Sequence, residues 1–525
     1  MCSMSVHDQR SAAPAVRSDY SPREVRLVLL GLMAAMFTVL VSSSIVVNAL
    51  PTIVPSLHGT QTAYTWMVTA SLLANAVSTP VWGKLSDLLD KKLLVQTAIV
   101  VFVLGTVAGA LAQNVGIMIA ARAVQGVAAG GVLALLQSIL GVMVPVRERG
   151  RYAGYTGAVL ALSTSVGPLA GGLIVDSPLG WRWTFWLCLP IAVAALVTLQ
   201  FTLRIAPSQR RGTVDWAGIA LLATGVSLLL IWVSFVGRPG SFGWWSLPSA
   251  LLVAGAGASL TALIVVEKRT ASAILPIWLI RRRTVALALV ASLPVGFGLF
   301  GATTLFSEYL QVGRGEDATA AGFALLPFIF GTLTGSLVTG RLITAYGRWR
   351  PYLIAGAAAL TAGFAGMSIT GAHAPFWQFA TATALAGLGV GMQQQNLVLA
   401  VQNGVDPADV GVGSGTVAFI RALGGAITLA VFGSLLAAQS SASIAAVLNA
   451  HDAGGSAVEL DRLGGLPEQV QAVVRSAYAD SFALPFFVAA CLSLLGLVAV
   501  LGMRHSALRS SMGAPTANGL PDKPA

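Results

Sequence analysis

Charge is what this sequence has least of. Asp, Glu, Lys and Arg make up 10% of 525 residues, while 56% are hydrophobic. With a mean hydropathy of +0.79, a soluble globular domain is excluded and a polytopic membrane protein is indicated. Cysteine is scarce too: Cys2, Cys188 and Cys491 stand alone, with no CxxC and no ligand spacing, so neither a disulfide framework nor a metal site is expected. No G-x-x-x-x-G-K-[ST] occurs, so ATP is not the direct energy source, and no cofactor is implied. Without a legible nucleophile–base or metal constellation, an enzyme is disfavoured. The net charge of +11 would suit nucleic acid, but the basic residues sit in short clusters between apolar runs of about 20 residues. That pattern belongs to membrane topology, and the lipid bilayer is the partner it implies.

What is present is a succession of fourteen apolar spans: roughly 27–50, 62–83, 93–112, 115–138, 152–174, 183–203, 215–236, 246–266, 284–309, 319–340, 351–370, 375–398, 411–437 and 481–503. The first is too long for a signal-peptide core and lacks an A-x-A cleavage site, so it is expected to be retained. Both termini then lie on one side. With the amino terminus inside, 24 of the 31 Lys and Arg fall in tails and inner loops and five in outer segments. Cytoplasmic termini follow, and the protein is expected in the cell membrane, multi-pass. Arg122 and Arg421 are the two basic residues left inside spans.

The expected domains are a disordered tail at 1–24, a six-helix half at 25–203, two inserted helices with a cytoplasmic linker at 204–283, a second six-helix half at 284–503 with an outer loop at 439–480, and a tail at 504–525. GKLSDLLDKK (83–92) and its weaker echo GRLITAYGRWR (340–350) support the two halves. The segment 267–283, basic at both ends around ILPIWL, is expected along the inner surface with Trp278 at headgroup level. After Pro467, Val470, Val473, Val474, Ala477 and Tyr478 recur at helical spacing, predicting a short amphipathic helix in the outer loop.

The stretch GYTGAVLALSTSVGPLAGG carries Gly154, Gly157, Gly167, Gly171 and Gly172, so neighbouring helices can approach almost to its backbone. Pro168 cannot donate to the carbonyl of Thr164, and the hydroxyls of Ser163, Thr164 and Ser165 stand ready to re-satisfy freed groups. A tightly packed, kinked pivot helix is the physical reading. In the 83–92 turn, Gly83 permits close approach, Asp87 can accept from a helix N-terminus, and Lys91 and Lys92 hold the loop inside. RAVQGVAAGG (122–131) puts Arg122 roughly 10 Å below the outer end of its span. A buried guanidinium there costs at least about 2.5–3.5 kcal/mol, which marks a functional position.

These stretches resemble signatures of the major facilitator superfamily: the antiporter motif at 154–172, with Ser163 where a glycine usually stands; the inner-loop motif at 83–92, with Leu88 and Asp90 replacing its Arg and Gly; and R-x-x-Q-G-x-G at 122. LVSSSIVVNALPTI (40–53) resembles a first-helix motif of the fourteen-helix drug/proton antiporters, with Asn48 one place from its Asn and Ser42 where an acidic residue is common. GWRWTFWLCLPIAV (180–193), AVQN (400–403) and GVGSGTVAFIRALGGA (411–426) extend the likeness over nearly the whole membrane region.

The resemblance implies an all-α major facilitator fold of fourteen spans, two six-helix halves plus two inserted helices. It also implies secondary export of hydrophobic or amphipathic small molecules, drugs or antibiotics, by proton antiport through alternating access, in a monomer. In that family the 83–92 turn is a conformational latch. The alternatives are a dedicated exporter of one metabolite, anionic if Arg122 and Arg421 balance it, and a non-transporting receptor or scaffold. An uptake symporter fits the 154–172 signature less well. None of the 20 Asp and Glu falls mid-span, and all five His lie in loops or tails. Glu308 is therefore the first candidate for proton coupling and Asp176 the second. Ser42, Asn48, Asn75, Gln125, Gln137, Gln393, Gln394, Gln395 and Asn396 sketch a cavity of uncharged hydrogen-bonding sites, with half of the amides expected to be interhelical glue. Tyr64, Trp66 and Phe419 would give it aromatic faces.

Overall fold

The computed structural model describes residues 22–59, 61–144, 146–175, 177–205, 214–236, 242–270, 277–300, 302–316, 318–406, 409–450 and 468–504. Among these there are helices and turns and no strand. In chain order the helices are α1 (Pro22–Ser56), α2 (Gln61–Leu88), α3 (Lys91–Ala110), α4 (Val115–Met143), α5 (Val146–Val175), α6 (Trp183–Trp186), α7 (Cys188–Thr202), α8 (Trp216–Phe235), α9 (Leu247–Arg269), α10 (Ile277–Ile280), α11 (Arg283–Phe300) and α12 (Ala302–Glu308). A π-turn follows at Tyr309–Gly313. The chain continues as α13 (Ala318–Ala324), α14 (Leu326–Tyr346), α15 (Arg350–Ser368), α16 (Phe376–Gln393), α17 (Asn396–Gly404), α18 (Val410–Ala450), α19 (Glu468–Asp480) and α20 (Ala483–Leu501).

A helix, or a broken pair of helices, overlaps each of the fourteen expected spans. Ten described helices are long and apolar enough to cross a membrane by length and composition. Their starts are written locally. Asp90 accepts from Lys92 N–H at the head of α3, Asn114 from Ile117 N–H at α4, and Asp215 from Gly218 N–H at α8, each satisfying a donor the first turn leaves free. At the close of α14, Gly347 takes the left-handed conformation (φ 67°) that a side chain would resist.

Two bundles form. In the first, α2 and α3 pack on α4 while α5 and α7 pack on α1; in the second, α14 and α15 pack on α16, and α18 and α20 on α11. The halves meet through α2 against α18 and α5 against α14. The inserted α8 touches both: Leu222, Val226 and Leu230 share one buried cluster with Ala76 of α2 and Phe419 of α18. Outside α8 lies α9, and large apolar side chains such as Leu30, Leu104, Phe201, Leu251, Phe330 and Phe487 face outward. That surface suits hydrocarbon and would be untenable in water.

One boundary differs from expectation, and two expected segments can be placed. The thirteenth span runs on to Ala450 as one unbroken helix, because the stretch after 437 is rich in Ala, with Ser and Gln that a helix tolerates and no Gly or Pro to break it. In the 267–283 linker only Ile277–Ile280 is helical among the described residues, with Arg282 stacked over Trp278 at 5.2 Å. The amphipathic helix expected after Pro467 is α19.

Candidate transport pathway

The halves are joined at the basic end of the bundle, which carries the turns 83–92 and 340–350. There the contact is backbone on backbone. A methyl group built on Gly83 would sit 3.0 Å from Gly411 O and 3.4 Å from Gly415 Cα, and one on Gly340 would collide with Gly150 O. On α5 the glycines serve two neighbours. Gly150 and Gly154 lie against α14, Gly157 against Ser336 and Gln394, and Gly167 against Ser44 and Ile45 of α1. The pivot stretch is thus packed across the halves at one end and within its own half further along. Ser163 and Thr164 donate to Val159 O and Ala161 O, one turn before the carbonyl that Pro168 leaves free.

Asp87 stands where the glycine seam meets the head of α18. Its Oδ2 accepts from Val412 N–H at 3.0 Å, so a carboxylate from one half caps a helix of the other. Burial pushes the carboxyl up to about 6 against the pull of Lys91 and the Val412 N–H. Lys91 donates to Ser86 O, Lys92 to Gln200 O at 2.7 Å, and Ser86 to Ser138 at 2.9 Å, tying the turn to its own half.

Deeper along the seam the joints are neutral amides. Gln137 donates to Gln395 across the halves at 2.7 Å, and Gln402 bonds Ser414 at 2.8 Å and Gln137 O at 3.4 Å. Gln394 reaches Gly157 O at 3.4 Å. Arg421, on α18, donates to Gln394 O at 2.7 Å. The helix breaks between Gln393 and Asn396, and there the side-chain oxygens of Gln393, Gln394 and Asn396 are buried with no partner among the described residues. Buried acceptors without donors are uncommon, and a cluster of three at a helix break is a place for a ligand's donors.

One residue of this seam has no counterpart among the sequence-based candidates. Arg149, 7% exposed, donates to Val144 O at 2.8 Å, to Gly141 O, and to Gln402 Oε1 across the halves at 3.2 Å. In VRERGR nothing distinguishes it from Arg147 and Arg151, which obey the same charge rule.

The first half holds a second polar cluster. Arg122, 2% exposed, donates to Gln125 Oε1 at 3.0 Å, Gln125 reaches Thr106 Oγ1 at 3.0 Å and Ser42 Oγ at 3.5 Å, and Arg122 Nε is buried without a partner. Among the described residues the guanidinium is therefore matched by neutral groups. Asn75 lies apart, accepting from Thr79 at 3.2 Å. Trp66 packs on Phe235 of α8 at 4.9 Å, Phe419 joins the α8 cluster, and Tyr64 packs at the rim of another apolar cluster. Glu308 lies at the opposite end of the second half, accepting from Tyr478 Oη at 2.7 Å. Asp176 is outside the described residues; of Asn48, Pro168 and Gly172 only the helical backbone is described. No group of His, Cys, Asp and Glu among the described residues could hold a metal ion.

A family model for the Major Facilitator Superfamily matches residues 32–429. The chain is 33% identical over 486 residues to an uncharacterized MFS-type transporter of Mycobacterium tuberculosis, covering 92% of this chain and 70% of that one. It is 30% identical to the efflux pump dotC of Dothistroma septosporum over 91% of this chain and 84% of that one, and 29% identical to the multidrug transporter protein MdtP of Bacillus subtilis over 79% and 76%. Among solved structures, the proton:xylose symporter XylE superposes with a TM-score of 0.59 at 13% identity, covering 91% of this chain and 95% of that one. The human organic anion transporter MFSD10 gives 0.58 at 14%, over 90% and 100%. Two helical halves meeting on glycine backbones, inside a chain whose signatures and relatives agree, make this a multi-pass membrane protein of the major facilitator superfamily.

Proposed function

We propose that the protein is a secondary active exporter of hydrophobic or amphipathic small molecules, driven by proton antiport and working by alternating access. The observation that carries the reading is where the halves touch. Among the described residues, their hydrogen bonds and glycine contacts run from mid-depth to the basic end, which supports a carrier closed there and ready to rock about the seam. The basic end is the cytoplasmic one on the count of Lys and Arg, so this is the outward-facing arrangement. Relatives named as efflux and multidrug transporters support export and a broad cargo. The domains are 25–203, 204–283 and 284–503, a reading supported by the packing of two bundles with α8 touching both and α9 outside it. Glu308, with Asp176 second, carries the proton; Gly83, Asp87, Lys91 and Lys92 form the latch; and Gly154, Gly167, Pro168, Gly171 and Gly172 form the pivot. The carrier acts as a monomer.

Accumulation of ethidium in efflux-deficient cells expressing the chain tests this. Export predicts reduced accumulation that a protonophore and Glu308→Gln both abolish; unchanged accumulation in expressing cells would defeat the broad-cargo reading.

Arg122 favours a second reading, a dedicated exporter of one anionic compound. A buried guanidinium bonded to Gln125, with Nε unpartnered among the described residues, would gain from a ligand carboxylate or phosphate. On that reading Arg122→Ala abolishes transport of acidic compounds; transport of an acidic compound by the variant at the unaltered rate would count against it.

A further inference from the structure

At the end of the second half away from the seam, α19 is fastened onto the π-turn. A methyl group on Gly313 would meet Ala479 Cβ at 2.9 Å, so the two elements touch closely. Tyr478, 3% exposed, stands edge-on to Phe482 at 5.6 Å, and Phe482 stands edge-on to Tyr309 at 5.6 Å. The loop between α15 and α16 is stitched in as well: Tyr309 Oη donates to Gly371 O at 2.9 Å, Arg314 to Ala374 O at 2.7 Å, and Asp480 accepts from Ala372 N–H at 3.0 Å.

The charged groups here divide by what they bind. Asp480 accepts from loop backbone, and Arg314 donates to loop backbone and also bonds the Tyr309 side chain. Arg475 lies against Gly315, and Glu316 and His373 are on the flanking loop segments. Glu308 bonds a side chain, the phenol of Tyr478, brought from 170 residues further along the chain. It is also the last residue before the π-turn, an irregularity that recurs at functional positions. A phenol donating to a carboxylate makes a charge-assisted hydrogen bond, roughly twice as strong as a neutral one. When the carboxylate takes a proton, that advantage is lost.

We propose that Tyr478 is the positioning residue for proton uptake at Glu308: its hydroxyl holds the ionised carboxylate, and protonation weakens that bond and loosens α19 from the π-turn. The proton state of Glu308 is thereby communicated to a helix that packs on α18 as well as on the π-turn, and α18 lines the seam between the halves. The proposal rests on the reading of Glu308 as proton carrier, and its test separates the two.

The experiment is ethidium export by the full chain in proteoliposomes, measured against the pH of the proton-loading side, for the unaltered protein, Tyr478→Phe, Glu308→Gln and the double variant, with gradient-free ethidium exchange as a second readout. Losing a donor that favours the ionised form raises the affinity for protons. Tyr478→Phe should therefore keep export but move the midpoint of the pH profile up by about one unit, about tenfold in proton affinity. Glu308→Gln should give a flat profile with exchange retained, and adding Tyr478→Phe to it should change nothing further. If Glu308→Gln leaves proton-driven export intact, the carrier reading fails and this inference with it. A flat Glu308→Gln profile beside an unmoved Tyr478→Phe midpoint would overturn the role of Tyr478 alone. Loss of exchange on adding Tyr478→Phe to Glu308→Gln would show a merely structural tyrosine and overturn it too.

Discussion

The two ends of the second half are built by different means. At the basic end it meets the other half through glycine backbones, neutral amides, and one acid and one arginine whose partners are mostly backbone groups. At the far end it is fastened to itself by aromatic edges, by Tyr309, Arg314 and Asp480 on the α15–α16 loop, and by Tyr478 on Glu308. In the proposed rocking motion, a seam of backbone contacts and amides opens without separating ion pairs, whereas a stitched end holds the elements of its own half together. On that proposal one end parts between the halves, while the other holds within its half and loosens only at α19 when Glu308 is protonated.

The contrast can be broken most severely at a glycine. Gly340→Val would press a branched side chain into the backbone of Gly150 and Gly154, which cannot yield as a side chain could. Overpacking of about 1–3 kcal/mol or more is expected. Ethidium export should fall at least roughly tenfold, with labelled protein shifted toward a parted basic end and with ordinary expression in the membrane.

Arg149→Ala comes next. It leaves Val144 O, Gly141 O and Gln402 Oε1 without this donor at the closed seam, a loss of about 1–3 kcal/mol for a buried group. Closure should weaken, read as faster alkylation of a cysteine placed at Ser414. Unchanged alkylation would show that the remaining seam contacts hold the seal without Arg149.

The smallest effect sharpens the comparison through pH. In the closed seam the Asp87 carboxyl sits at about 6, against 3.8 for the ordinary group. Over that window the closed state binds more protons than an open one in which Asp87 is hydrated. Lowering the pH from 7 through 6 therefore favours closure, and raising it removes that bias. Asp87→Asn should flatten this dependence, measured as the closed fraction between pH 4.5 and 7.5, in the range the shift itself sets at about 4 to 6.

Much of the fold was legible because membrane crossing imposes long apolar runs, and all fourteen correspond to helices. The basic clusters 83–92 and 340–350 and the glycines of 154–172 also marked the seam, since close backbone approach demands glycine whatever the partner. Asp87 was legible as an acceptor for a helix head in the other half, and Val412 N–H is that donor. Partnerships across the chain were not. Nothing in VRERGR shows that Arg149 turns inward to Gln402, and Tyr478 was visible as one residue of an amphipathic pattern, not as the donor to Glu308. An aromatic residue in a span, such as Trp66 or Phe419, looks the same in sequence whether it meets a ligand or another helix. Here both pack on the inserted α8 or its cluster.

The central claim, that the halves rock about the basic seam, is tested most directly by two distances in one protein. With the native cysteines replaced, spin labels at Leu89 and Asp406 report the basic end, and labels at Leu111 and Ile369 report the other; all four positions are exposed. On addition of ethidium under an imposed proton gradient, the account predicts reciprocal changes: as the 89–406 pair lengthens, the 111–369 pair shortens. Two distances that stay fixed, or that lengthen together, would contradict it.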